Sequence, residues 1–235
     1  REGGGALALW LGRGGAEPAY TRAAFPGATT MSRPSFIPGT GGRVLIAVDG
    51  KLYEVALDGQ IRPVPNAPDG VTAVSVASDG ARVAFVTSGG AVVASLDATA
   101  AWVSIGPTRN LYVTNLPKMG GIGWLYEDRL VIGGEAAMVE VAIDNGRVER
   151  VAPANLARAQ VTELSAVPGN PFEASRGSVV VAAGVDAGAQ EAYYAYSSGL
   201  VPITLPQPAP APSASVGPNA TPPKLSAPFY IDEIK

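Results

Sequence analysis

Lys51-Leu52-Tyr53-Glu54-Val55-Ala56-Leu57-Asp58-Gly59 and Ala137-Met138-Val139-Glu140-Val141-Ala142-Ile143-Asp144-Asn145-Gly146 share a Glu-Val-Ala-aliphatic-Asp core, and the two copies lie 86 residues apart. Two repeats of about 43 residues fill that interval, the length of a four-stranded propeller blade. Each copy is a short apolar run closed by Asp-Gly or Asn-Gly, the chemistry of a strand leading into a tight turn.

Working outward, Ser35-Phe36, Val76-Ala77, Trp124-Leu125 and Leu164-Ser165 each end an apolar stretch that leads into a second apolar run. Those second runs are residues 43–48, 82–86, 129–132 and 178–182. Four blades follow, at residues 31–65, 71–116, 119–153 and 161–205, each read as four strands from the inside outward. Residues 6–25 read as half a blade, two strands around Gly14-Gly15. Its missing partners are expected from Phe229-Tyr230-Ile231 or from residues upstream, because an open ring leaves edge strands exposed. The sum is an all-β propeller of about five four-stranded blades. The best helical stretch, residues 154–162, is too short and too poorly spaced for more than one turn. From residue 206 to 228 the composition shifts to Pro, Ala, Ser and Thr, which favours an extended linker or tail, and residues 229–235 form a possible closing or donated strand.

Composition narrows the chemistry. Hydrophobic residues make up 47% and charged residues 16%, so residues 1–205 should fold as one domain. A net charge of −3 offers no footprint for phosphate backbones, so no nucleic-acid partner is expected. No run approaches the ~20 apolar residues of a membrane span, which leaves membrane attachment to an anchor or domain outside this chain. A start at Arg1 reads as a processed protein or an excised fragment. The 235 residues contain neither histidine nor cysteine. Imidazole bases, Ser-His-Asp triads, thiolate nucleophiles and His- or Cys-ligated metals are thereby removed together.

Paired carboxylates remain as possible catalysts, but Glu127-Asp128 and Asp232-Glu233 are sequence neighbours, which on strands point to opposite faces. Asp49, Asp58, Asp79 and Asp144 precede Gly or Asn-Gly; turn chemistry is preferred to calcium ligation. Gly39-Thr40-Gly41-Gly42-Arg43 lacks the Gly-Lys-Ser/Thr ending of a phosphate loop and reads as a hairpin loop. Trp10, Trp102 and Trp124 with Tyr193, Tyr194 and Tyr196 could form a platform, although alternating aromatics on strands more often pack. No cofactor or metal site is expected. Asn219-Ala220-Thr221 matches the glycosylation triplet, with Pro222 after it, and Ser213 and Thr221 sit in a context suited to O-linked sugars.

The chain resembles the C-terminal propeller of the LpqB family of actinobacterial lipoproteins, across about residues 5–205. The resemblance is carried by Gly5-Ala6-Leu7-Ala8-Leu9, by Met31-Ser32-Arg33-Pro34-Ser35-Phe36, and most closely by Val76-Ala77-Ser78-Asp79-Gly80-Ala81-Arg82-Val83-Ala84. Trp124 with Asp128-Arg129-Leu130-Val131 continues it. Trp is more usual than Phe36 in the family, and Ser-Asp-Gly followed by Arg-Val-Ala also occurs in TolB-like propellers. The resemblance implies a lipid-anchored cell-surface protein, a GerMN-type domain ahead of the propeller, and association with the MtrB sensor kinase. This chain shows neither lipobox cysteine nor GerMN domain and adds a Pro-rich tail.

Together these features point to a non-catalytic, extracytoplasmic interaction module that binds a protein partner at the cell envelope. Arg33, Arg62, Arg109 and Tyr112 are the expected contacts on the domain, with Phe229 and Tyr230 from the tail. The alternative is a structural subunit of a larger assembly whose C-terminal tail docks on a neighbour. A carboxylate-based glycan-processing enzyme comes third, and it requires acidic side chains converging at the central channel.

Overall fold

Apolar runs of five or six residues are buried on both faces when their sheet is covered on both sides, and here the cover on each side is another sheet. The computed structural model describes residues 7–13, 19–99, 102–113, 116–152, 160–166, 180–185, 191–197 and 199–203. Arg1–Thr204 and Leu205–Lys235 separate as two units, and the second lies outside the described residues. So do Phe229, Tyr230, Asn219, Ser213 and Thr221, and with them the expected closing strand and glycosylation sites.

A leading hairpin pairs β1 (Leu7–Arg13) with β2 (Ala19–Phe25). Blade 1 follows as β3 (Ser35–Phe36), β4 (Val44–Val48), β5 (Lys51–Val55) and β6 (Ile61–Pro63). Blade 2 holds β7 (Val71–Val76), β8 (Arg82–Thr87), β9 (Gly90–Ala98), β10 (Val103–Ile105) and β11 (Arg109–Asn110). Blade 3 is β12 (Gly121–Tyr126), β13 (Arg129–Gly133), β14 (Met138–Ala142) and β15 (Val148–Ala152). Blade 4 is β16 (Gln160–Ala166), β17 (Val180–Val185), β18 (Glu191–Ser197) and β19 (Val201–Ile203). All pairings within the blades are antiparallel between chain neighbours, except that β10 and β11 both pair with β9. They are one outer strand broken at Gly106-Pro107-Thr108, where proline cannot donate to the ladder.

The four blades fall where the repeats place them, and the leading hairpin is two strands wide among the described residues. Of the short helical stretch, residues 160–162 belong to β16, because Gln160 and Val161 pair with Val185 and Gly184; residues 153–159 lie outside the described residues.

Strand alternation explains the core. Along β9, Val92 and Ala94 pack toward blade 1, while Ala91 and Val93 pack toward blade 3. The core is therefore a series of layers between sheets. Phe85 and Leu45 fill the layer between blades 1 and 2, Trp124 and Leu130 the next, and Tyr196, Leu125 and Met138 the layer between blades 3 and 4. Leu11, Ala23 and Phe25 of the leading hairpin cover the other face of blade 1, with Phe25 edge-on to Tyr53 at 5.6 Å.

Asp49, Asp58, Asp79 and Asp144 all sit in turns. Asp49 (φ 48°) and Gly50 (φ 79°) form the two-residue loop between Val48 and Lys51, the left-handed pair that a tight hairpin requires. Asp58 accepts from Gln60 N at 3.0 Å, Asp79 from Ala81 N at 2.9 Å, and Asp144 from Asn145 N at 2.7 Å.

Asp49 also fastens the linker that follows β2. Its carboxylate accepts from the backbone N–H of Thr30 at 2.8 Å and of Thr29 at 3.0 Å, and from the Thr29 hydroxyl at 2.8 Å. The Thr30 amide bond, followed by the Thr29 bonds, lowers its pKa from the ordinary 3.8 to about 2. A depressed carboxyl pKa contributes stability that is complete above the unfolded value and is lost as pH falls through the folded one. The clamp is therefore expected to hold at pH 3 and release near pH 2. An NMR titration of the Asp49 carboxyl should give a midpoint near 2; a midpoint near the ordinary 3.8 would show that these hydrogen bonds do not persist in solution.

Candidate functional site

The inner strands of consecutive blades lie side by side, β7 against β12 and β12 against β16, with β4 against β7 on the other side. Their leading ends bring residues 31–33, 72–74, 120–122 and 162–164 to one central cavity, three residues from each blade. The cavity holds about 90 Å³. At ~30 Å³ per water that is room for about three waters, well below the ~300–1,000 Å³ of pockets that enclose a whole ligand. It can admit the tip of a side chain or a small charged group.

Its polar lining comprises Arg33 from blade 1, Thr72 from blade 2, and Thr162 and Glu163 from blade 4, all exposed. Among the described residues, neither the Arg33 guanidinium nor the Glu163 carboxylate has a partner. Four other pairs of opposite charge do meet: Arg43 with Glu54 at 2.5 Å, Arg82 with Asp79 at 2.6 Å, Arg129 with Glu149 at 3.2 Å, and Lys118 with Glu135 at 3.2 Å. The Thr72 and Thr162 hydroxyls make only long bonds of 3.4 Å, donating to the carbonyls of Val86 and Ala183.

Glycine sets how tightly the cavity wall closes. A Cβ at Gly120 would stand 2.2 Å from the Val161 carbonyl oxygen, and one at Gly121 would stand 2.7 Å from Leu164 Cβ and 2.8 Å from Leu164 N. The run Gly120-Gly121-Ile122-Gly123 thus lets β12 approach the backbone of β16 directly.

The expected contact residues do not form one site. Arg33 lies at the channel. Arg62 is on the outer strand of blade 1, where it donates to Gln60 Oε1 at 2.9 Å beside the Arg43–Glu54 pair. Arg109 reaches across from β11 to blade 3, donating to the carbonyls of Ile143 and Asp144. The exposed Tyr112 accompanies it, its backbone N–H donating to the Gly146 carbonyl at 2.8 Å. Arg109 and Tyr112 therefore bracket two blades together.

The tryptophans do not gather into a platform. Trp124 is buried, donates from its indole to the Ser75 carbonyl at 2.9 Å, and carries the Arg82 guanidinium 5.4 Å from its ring centre. Trp10 and Trp102 are exposed, Tyr196 is buried in another layer, and Tyr193's side chain lies outside the described residues.

One further acidic group stands out. Glu140 is buried on β14, with Arg129 Nε at 3.7 Å and Arg150 Nε at 3.9 Å, and its Oε2 accepts no hydrogen bond from the described residues. Burial pushes its carboxyl up despite the two guanidinium groups. It lies between blades 3 and 4, outside the channel.

Thr72, Thr162 and Glu163 were not singled out by motif. The signal was positional: they stand at the same place in successive repeats as Arg33, at the leading end of the inner strand.

Four antiparallel four-stranded sheets meeting around a shared channel define a β-propeller. The sequence matches the lipoprotein LpqB β-propeller domain over residues 2–203, and the chain belongs to that family. No curated protein matches it in sequence. Among solved structures it is similar to a luciferin-regenerating enzyme, with a TM-score of 0.55 and 14% identity over 87% of this chain and 78% of that one. At that identity the likeness is one of fold.

Proposed function

We propose that this domain is a non-catalytic interaction module outside the cytoplasm, which receives a protein partner at the mouth of the central channel. The observation that carries the reading is the unmatched pair Arg33 and Glu163 in a cavity to which all four blades contribute. A rigid ring holds such groups in fixed relation, and a cavity of about 90 Å³ suits an inserted side chain better than an enclosed substrate.

Two further points support it. Carboxylate catalysis of the glycosidase kind requires two acids, ~5–9.5 Å apart, and Glu163 is the one carboxylate among the described residues lining the channel. Membership of a lipoprotein domain family favours an extracytoplasmic setting and makes the extracytoplasmic segment of an MtrB-type sensor kinase the first partner to test.

The test is binding of that kinase segment, immobilised, to the whole chain and to Arg33→Glu. Charge reversal at the mouth is expected to weaken binding at least about tenfold, or ~1.4 kcal/mol. Equal affinity of the two proteins would remove the channel mouth from the interface.

A further inference from the structure

We infer that the channel mouth is a receptor site for the zwitterionic head of an α-amino acid, its carboxylate on Arg33 and its ammonium on Glu163. The inference concerns the site proposed above as the docking face but does not require the protein partner. It starts from opposite charges that line one small cavity without pairing to each other or to any described residue. Exposed groups of opposite sign normally gain little from pairing across water, about 0–1 kcal/mol. A ligand that carries both complementary charges can engage both at once, and the second contact forms at high effective concentration.

Size and lining agree with this chemistry. A cavity of about 90 Å³ admits the ammonium, the α-carbon and the carboxylate, and leaves a side chain outside. Thr72 and Thr162 add hydroxyls to the same lining, each held only by a 3.4 Å bond and so able to turn toward an ammonium or a carboxylate. Gly120 and Gly121 let β12 close directly on the backbone of β16, which fixes the wall that carries Thr162 and Glu163. A purely anionic ligand would leave Glu163 facing like charge, and a purely cationic one would do so at Arg33. A zwitterion avoids both.

The experiment is a two-dimensional NMR titration of the whole chain with alanine, N-acetylalanine and alanine amide; each of the last two lacks one charge. Alanine is expected to saturate in the millimolar range and to shift the amides of Arg33, Thr72, Thr162 and Glu163, with each blocked analogue about tenfold weaker. Arg33→Gln and Glu163→Gln should each reduce alanine to the level of the analogues while the folded spectrum is retained. If either variant loses its dispersed spectrum, the comparison of the three ligands on the unaltered chain still decides. Equal shifts by all three compounds, or none at those residues, would overturn the inference. If partner binding still depends on Arg33 in that case, the docking reading stands and only the amino-acid site falls.

Discussion

Gly121→Ala is expected to destabilise the folded domain by about 1–2.5 kcal/mol, a large loss for a single methyl group. The added Cβ would meet Leu164 Cβ at 2.7 Å, Leu164 N at 2.8 Å and the Glu163 carbonyl carbon at 3.0 Å. Two of those three atoms are backbone, so a rotamer change cannot relieve them; β16 must move, and blade 4 with it. Overpacking of this kind typically costs about 1–3 kcal/mol, against which alanine recovers ~0.5–1 kcal/mol of strand entropy lost by glycine. The upper part of the range applies because the clash is with backbone. Gly89→Ala is the control: its nearest neighbour is Thr87 Oγ1 at 3.7 Å, and it should change stability by no more than about 0.5 kcal/mol. Urea unfolding with a constant slope measures both. Equal midpoints for Gly121→Ala and the unaltered chain would show that blades 3 and 4 do not meet through that glycine run.

Arg43→Met is expected to cost about 3–5 kcal/mol, because it leaves Glu54 charged and buried without its partner. The pair lies 2.5 Å apart with side chains 10% and 7% exposed, and the Arg43 guanidinium also donates to the Thr99 carbonyl in blade 2. The cost resides in the orphaned carboxylate, so adding Glu54→Leu should restore most of it, to within about 2 kcal/mol of the unaltered chain. The unrecovered part is the lost bond to Thr99. A single variant that costs under about 1 kcal/mol, or a double variant no better than the single, would mean that Glu54 is already solvated.

This pair also shows how far the sequence could be read. The shared Glu-Val-Ala core of residues 54–56 and 140–142 revealed the repeat, and Asp-Gly marked the turns, because both signals are local. Burial of the two glutamates was not legible. Glu54 is matched by Arg43 at 2.5 Å, whereas Glu140, at the equivalent place, has its nearest guanidinium nitrogen at 3.7 Å and keeps one oxygen orphaned. The distinction depends on side chains from other strands. In blade 2 the corresponding Arg82 pairs with Asp79 and lies over Trp124 of the next blade.

The candidate site was partly legible for the same reason. Arg33 was legible only as one exposed polar position among several, and Glu163 joins it only where blades 1 and 4 meet a common channel. Arg109 looked equally available in the sequence. Its acceptors are carbonyls 34 and 35 residues away, and no pattern of residue types announces a backbone carbonyl. Trp10 and Trp124 both sit in alternating strands, yet Trp124 meets blade 2 and Trp10 is exposed. Alternation gives the face of a strand; the next blade decides whether that face is covered.

The most direct test of the channel-mouth reading is hydrogen exchange on the whole chain, with and without the extracytoplasmic segment of the sensor kinase. Protection is expected at residues 31–33, 72–74, 120–122 and 162–164, the four segments that surround the cavity. Protection confined to the outer positions around Arg62, Arg109 and Tyr112, with those four segments unchanged, would contradict it.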